Sequence, residues 1–168
     1  MIFVTGGARS GKSAFALRRA SSLAGHAVSF IATAEGLDGE MSERIAQHKL
    51  ERNPAWQTLE EALEIEATLE RATHSVIVLD CVALWVANLL LAGALEATML
   101  ERTRAFIAKA ARLEKIVIVV SNEVGLGIVP DNALARDYRD ALGRVNQVFA
   151  AASSEAYLLV SGLELRLK

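Results

Sequence analysis

The chain has 168 residues, 52% hydrophobic and 23% charged, which excludes intrinsic disorder and fits a single domain, 1–168, with a sizeable core. Lys and Arg total 18 against 20 Asp and Glu, so the net charge of −2 argues against nucleic acid as a partner. The single cysteine, Cys81, excludes an internal disulfide or a Cys-rich zinc site and fits a reducing, cytoplasmic setting. No membrane insertion is expected either, because the longest apolar stretch, Cys81 to Ala94, is interrupted by Asn88 and too short to span a bilayer.

Ile2–Thr5 reads as a strand that runs straight into a glycine loop, so no leader peptide is expected at this end. The loop, Gly6-Gly7-Ala8-Arg9-Ser10-Gly11-Lys12-Ser13, matches G-x-x-x-x-G-K-[ST]. Glycines allow successive N–H groups to turn inward around an anionic oxygen cluster, and the helix predicted over Ser13–Ala24 adds the positive end of its dipole. Lys12 is then expected on the β- and γ-phosphates and the Ser13 hydroxyl on Mg²⁺. A second strand, Ala27–Thr33, ends in Ala32-Thr33-Ala34, which either opens onto the same crevice or forms a generic turn.

Next comes a helical stretch, Glu40–Leu50, ended at Asn53-Pro54. Arg44, His48 and Arg52 are spaced four apart and share one stripe, spanning roughly 12 Å. Such a stripe fits either a solvated face with an incidental histidine or a phosphate-binding face. In the second case flanking cations keep His48 neutral and nucleophilic and offset charge on an attacked phosphate.

A helix is predicted over Leu59–Ala72, then a strand over Ser75–Asp80. Asp80 ends the unbroken apolar run Val76–Leu79, the position of a magnesium-holding acid, and can also cap the helix predicted over Val82–Leu91. A helix over Thr98–Leu113, a strand over Ile116–Ser121 and a helix over Ala133–Ser153 follow. Continuous apolar strands alternating with helices predict an α/β fold, its parallel sheet covered on both faces. Ala156–Ser161 and the run from Leu163 to Leu167 around Gly162 predict an antiparallel C-terminal hairpin, the last strand an edge with one wet face.

Taken in order, several strings resemble the bifunctional adenosylcobinamide kinase / adenosylcobinamide-phosphate guanylyltransferase family. They are Thr5–Ser13, Ile31–Ala34, Arg44-Ile45 with His48 and Arg52, Trp56–Glu60, Asn122–Pro130 and Arg136–Gln147. The resemblance implies a P-loop NTPase fold with a RecA-like sheet and a homotrimer. It implies two reactions: phosphorylation of adenosylcobinamide by ATP or GTP, and transfer of GMP from GTP through a histidine to adenosylcobinamide phosphate. His48 aligns with the guanylylated histidine. Nucleotide contacts are then expected from Gly6 to Ser13, Ala32, Thr33, Ala34, Arg44, Lys49, Leu50, Glu51, Arg52, Glu60 and Asp80. Trp56 packs either against a nucleotide ring or over the core. Asn122 and Glu123 are expected at the edge of the crevice, while Arg136 and Tyr138-Arg139-Asp140 suit corrinoid contacts, a subunit interface or ion pairs. A P-loop kinase of another small alcohol, with His48 unmodified, is the alternative. A nucleotide-dependent binding module is the rival from another class.

Overall fold

The computed structural model describes residues 1–35, 39, 43, 46, 49, 50 and 52–168. In chain order these form β1 (Ile2–Gly6), α1 (Lys12–Ala24), β2 (Val28–Ala32), β3 (Gln57–Glu60), α2 (Ile65–Arg71), β4 (Val76–Asp80) and α3 (Val82–Leu91). There follow α4 (Glu96–Arg112), β5 (Ile116–Val120), α5 (Ala133–Ala152), β6 (Glu155–Val160) and β7 (Leu163–Arg166). Among the described residues one seven-stranded sheet runs in the order β3-β2-β4-β5-β1-β6-β7. Every pairing is parallel except β6–β7. This is the P-loop, RecA-like α/β arrangement expected from the sequence, with its antiparallel hairpin at one edge.

Alternate residues of the central strands feed two cores, which is why β4 and β5 carry no polar alternation. On one face Ile2, Val4, Phe30, Val78, Ile118 and Val120 pack against Phe15, Ala16 and Ala20 of α1. On the other, Phe3, Ile31, Ile77, Leu79, Val117 and Val119 meet α2 to α5 through residues such as Leu69, Trp85, Phe106 and Phe149. Trp85, fully buried, donates its indole N–H to the Leu63 carbonyl at 2.9 Å. No helix of the described residues is long and apolar enough to cross a membrane.

Two expectations change. The helix predicted from Leu59 gives way to strand β3, and α2 begins only at Ile65. The ladder decides this: β3 pairs in parallel with β2 from Gln57 to Glu60, and the Glu61 N–H continues it onto the Ala32 carbonyl at 2.9 Å. The Glu61 carboxylate then accepts from the N–H groups of Leu63 and Glu64 and turns the chain into α2. In β7 all four residues are exposed, so its leucine face is uncovered within this chain as well as its charged one. Of the predicted helix Glu40–Leu50, only Glu43, Ala46, Lys49 and Leu50 are described, and all four have helical backbone.

Candidate active site

β1 ends behind a loop whose shape follows from its residue types. Arg9 (φ 55°) and Gly11 (φ 95°) are both left-handed on either side of Ser10, whose N–H donates to the Gly7 carbonyl at 3.3 Å and closes the loop. Gly11 caps α1, and the Phe15 N–H donates to its carbonyl at 2.9 Å. Lys12 is buried and its ammonium donates to the Gly7 carbonyl at 2.6 Å, folded back over the loop. Burial holds the Lys12 pKa below the ordinary lysine value, against the opposing pull of Cys81 and Asp80. Inside the loop the Ser10 hydroxyl is buried without a hydrogen-bond partner, as is that of Thr5. A hydroxyl so placed is costly unless an anion or water satisfies it.

The loop forms one wall of a cleft of about 480 Å³ along the carboxyl ends of the strands. Ala8 to Ser13 line it, with Ala32 and Ala34 after β2, Glu60 at the end of β3, Asp80 at the end of β4, and Lys49 and Arg52. Ser13 and Asp80 thus offer a hydroxyl and a carboxylate to the same space. These hard oxygen donors suit Mg²⁺, which keeps waters and takes phosphate oxygens for the rest of its shell. No cluster of three or more His, Cys, Asp or Glu that could cage a metal occurs among the described residues.

At the β2–β3 end, Lys49 pairs with Glu60 at 2.6 Å. Arg52 lies over the Phe30 ring, its Cζ 3.7 Å from the centroid, with one guanidinium nitrogen (Nη1) buried and unpartnered. Its pKa is lowered by burial, while Asp80 and Glu60 pull it upward. A second groove, beyond Lys49, Arg52 and Glu60, reaches Thr58 and Trp56. Trp56 is buried in the core and its indole donates to the Gly25 carbonyl at 3.0 Å, so it closes a loop over the core.

Not every predicted contact faces this space. Thr33 is fully buried; its hydroxyl donates to the Cys81 carbonyl (2.7 Å) and accepts from the Cys81 N–H (2.8 Å). That side chain ties the residue after β2 to the residue after β4, and it is not among the residues lining the cleft. Leu50 is 81% exposed and lies outside the cleft lining. Gly6 and Gly7 shape the turn behind the loop. Arg44, His48 and Glu51 lie outside the described residues. Cys81, Leu84, Val120 and Asn122 also line the cleft. Asn122 is expected at this edge from the sequence; Cys81 and Val120 carry only the signal of position at the ends of β4 and β5, and Leu84 lies in the first turn of α3.

The family profile described as cobinamide kinase / cobinamide phosphate guanyltransferase matches residues 2–167. The chain belongs to this family. The bifunctional adenosylcobalamin biosynthesis protein CobU of Salmonella typhimurium is 43% identical over 184 aligned residues, covering 100% of this chain and 99% of that protein. CobP of Pseudomonas aeruginosa, bearing the same description, is 43% identical over 167, covering 98% and 95%. Among solved structures, the flagellar accessory protein FlaH of Methanocaldococcus jannaschii superposes with a TM-score of 0.57 at 16% identity, over 99% of this chain and 77% of that one. A second solved structure, an ATPase domain, gives 0.54 at 13% identity, over 94% and 68%. These two likenesses establish the fold alone. Within the cobinamide kinase / guanyltransferase family, the loop from Gly6 to Ser13 and the Asn122–Pro130 string lie inside the matched span.

Proposed function

We propose that both reactions of the family run in this one cleft, and that the second passes through a covalent guanylyl-His48. The chain is a cobinamide kinase and cobinamide-phosphate guanylyltransferase of adenosylcobalamin biosynthesis. In the kinase reaction the triphosphate of ATP or GTP lies in the loop, its oxygens facing the inward N–H groups and Lys12. The hydroxyl of the aminopropanol arm of adenosylcobinamide attacks the γ-phosphorus. In the second reaction the imidazole of His48 attacks the α-phosphorus of GTP and pyrophosphate leaves. Adenosylcobinamide phosphate then takes the GMP, giving adenosylcobinamide-GDP. A covalent carrier divides one exchange between two anions into two in-line steps.

Ser13 and Asp80 would hold Mg²⁺, which would offset negative charge on the phosphates and the leaving group. Arg44, Lys49 and Arg52 stabilise the transferring phosphoryl, and the Glu60 carboxylate can accept hydrogen bonds from guanine N1 and N2. Leu50 and Glu51 complete this segment, and Ala32 and Ala34 form the adjoining floor. The observation that carries the reading is that Lys49 and Arg52, which bracket the stretch after His48, line the same cleft as the phosphate loop. We further propose a cytoplasmic homotrimer. The exposed leucines of β7, Leu163 at 75% and Leu165 at 57%, support burial of that edge by another copy.

Incubation with α-labelled GTP tests the reading. Acid-labile, base-stable label on the wild-type chain and none on His48→Ala is expected, with His48→Ala still phosphorylating adenosylcobinamide. Label retained by His48→Ala, or loss of both activities from a folded variant, would overturn the carrier role.

A further inference from the structure

The Asn122 side chain has no part in the chemistry above, yet it lines the cleft at the end of β5. The segment that carries it is held by β1 and by α5. The Ser121 N–H donates to the Val4 carbonyl at 2.9 Å and the Glu123 N–H to the Gly6 carbonyl at 3.0 Å, so residues on either side of Asn122 bond to β1 just ahead of the phosphate loop. From α5, the buried Asn146 amide accepts from the Ser121 hydroxyl at 2.6 Å and donates to the Asn122 carbonyl at 2.9 Å. Asn146 sits among Leu142, Val145 and Phe149, all buried in the apolar core. A polar amide there is costly unless its bonds are made, and these bonds fix the backbone of Asn122.

The sheet order separates Asn122 from Glu60 and Arg52, while Asp80 and the phosphate loop lie at the ends of the strands on either side of β5. Glu60 ends β3 and Arg52 lies over Phe30 of β2, whereas Asn122 follows β5 beside β1. Two to three strand steps lie between, roughly 10–14 Å. In-line attack at the γ-phosphorus and at the α-phosphorus approach a triphosphate from different directions, and one cleft with polar groups at both ends can serve both.

Resting on the function proposed above, we propose that Asn122 is a catalytic residue of the phosphoryl-transfer reaction alone and that Asn146 positions it. Its Oδ1 accepts from the attacking hydroxyl and its Nδ2 donates to an oxygen of the transferring phosphoryl. The amide therefore aligns both partners and exchanges no proton. The hydroxyl oxygen bonds to the γ-phosphorus as the bond from that phosphorus to the β,γ-bridging oxygen breaks. The electron pair of the broken bond leaves with the nucleoside diphosphate, and the hydroxyl proton passes to a phosphoryl oxygen and then to water.

The test compares two readouts on each variant: ATP-dependent phosphorylation of adenosylcobinamide, and self-labelling by α-labelled GTP, which needs no corrinoid. Asn122→Ala is expected to lower the phosphorylation kcat on the order of 10²-fold, with KM for ATP within about threefold and self-labelling within about threefold of wild type. Asn122→Asp, which keeps the shape but loses the donor and adds charge, loses at least as much. Asn146→Ala lowers the same kcat roughly tenfold with KM unchanged. Ser121→Ala, which removes one anchor and opens little space, shows the same split if Asn146→Ala does not fold. An unchanged phosphorylation kcat in Asn122→Ala, or an equal fall in both readouts, overturns the proposal. Wild-type protein that labels itself but phosphorylates no adenosylcobinamide would instead overturn the reading on which it rests.

Discussion

Gly6→Ala puts the geometry of the phosphate loop to a direct stability test. Gly6 has φ +154°, and a methyl added there would fall on the Leu159 carbonyl oxygen and come 2.7 Å from the Ser10 hydroxyl. Leu159 is the β6 partner of Gly6 in the parallel ladder, so its carbonyl cannot retreat without opening the pairing of β1 and β6. The Ser10 hydroxyl belongs to the loop and can move, at the expense of the loop's shape. Overpacking of this kind costs about 1–3 kcal/mol. The disfavoured backbone conformation adds about 1–3 kcal/mol, for a total of about 2–6 kcal/mol. For a chain of this size that lowers Tm by roughly 4–24 °C. Gly7→Ala is the matched control, because nothing lies within 4 Å of its added methyl and its φ is ordinary. It should stay within about 0.5 kcal/mol of wild type. Urea unfolding at fixed chain concentration measures both, and calorimetric GTP binding should show Gly6→Ala at least tenfold weaker. If Gly6→Ala were as stable as Gly7→Ala and bound GTP normally, the close approach of β1 to β6 would not be what shapes the loop.

Two more outcomes follow from protonation. Burial pushes the Cys81 thiol up to about 12, with Asp80 acting in the same sense. At pH 8 the native chain should therefore react with iodoacetamide roughly 10³-fold more slowly than the urea-unfolded chain, and rates within tenfold of each other would refute this. Because burial lowers the Lys12 pKa, its charge is a cost to the unliganded fold below that value, and the cost fades as pH rises toward the unfolded lysine value. A bound triphosphate reverses the shift. Binding between the two values, where the nucleotide phosphates are already fully ionised, must then take up protons and weaken as pH rises. Calorimetry stepped from neutral pH up toward the free lysine value, in buffers of different ionisation enthalpy, should register that uptake, and Lys12→Met should abolish it. Proton release would contradict the assignment.

What the sequence made legible is what local chemistry determines. Val76–Leu79 and Ile116–Val120 are unbroken apolar runs, and burial on both faces makes them central strands. The glycine loop is legible because its spacing serves one backbone shape. Strand β3 was not, because Gln57-Thr58-Leu59-Glu60 is short, half-exposed and followed by Glu61-Ala62-Leu63-Glu64, whose composition favours helix. Its strand character is decided by the β2 edge, which lies far back in the chain. Thr33 shows the same limit at single-residue scale. Spacing left a crevice contact and a generic turn both open, and its hydroxyl bonds to the Cys81 backbone, a partner 48 positions away. Asn146 left a trace, an amide on a helix stripe otherwise made of Leu142, Val145 and Phe149, though its purpose emerges only once β5 lies against it.

The phosphate loop itself, the most local motif in the chain, is finished by its most distant part. The β6–β7 turn at Ser161 (φ 52°) and Gly162 (φ 82°) brings the Gly162 N–H to the Ser10 carbonyl at 3.0 Å. A methyl on Gly11 would come within 3.3 Å of the Gly162 Cα, so the two glycines lie against each other. The loop is thus braced by β6 behind Gly6 and by the hairpin turn at Ser10 and Gly11. An anion nest binds well only if its N–H groups are already aimed, because ordering them on binding would subtract from affinity. Eight residues supply the donors, but the completed sheet holds them in place. This gives the C-terminal hairpin a role in nucleotide binding although none of its residues lines the cleft.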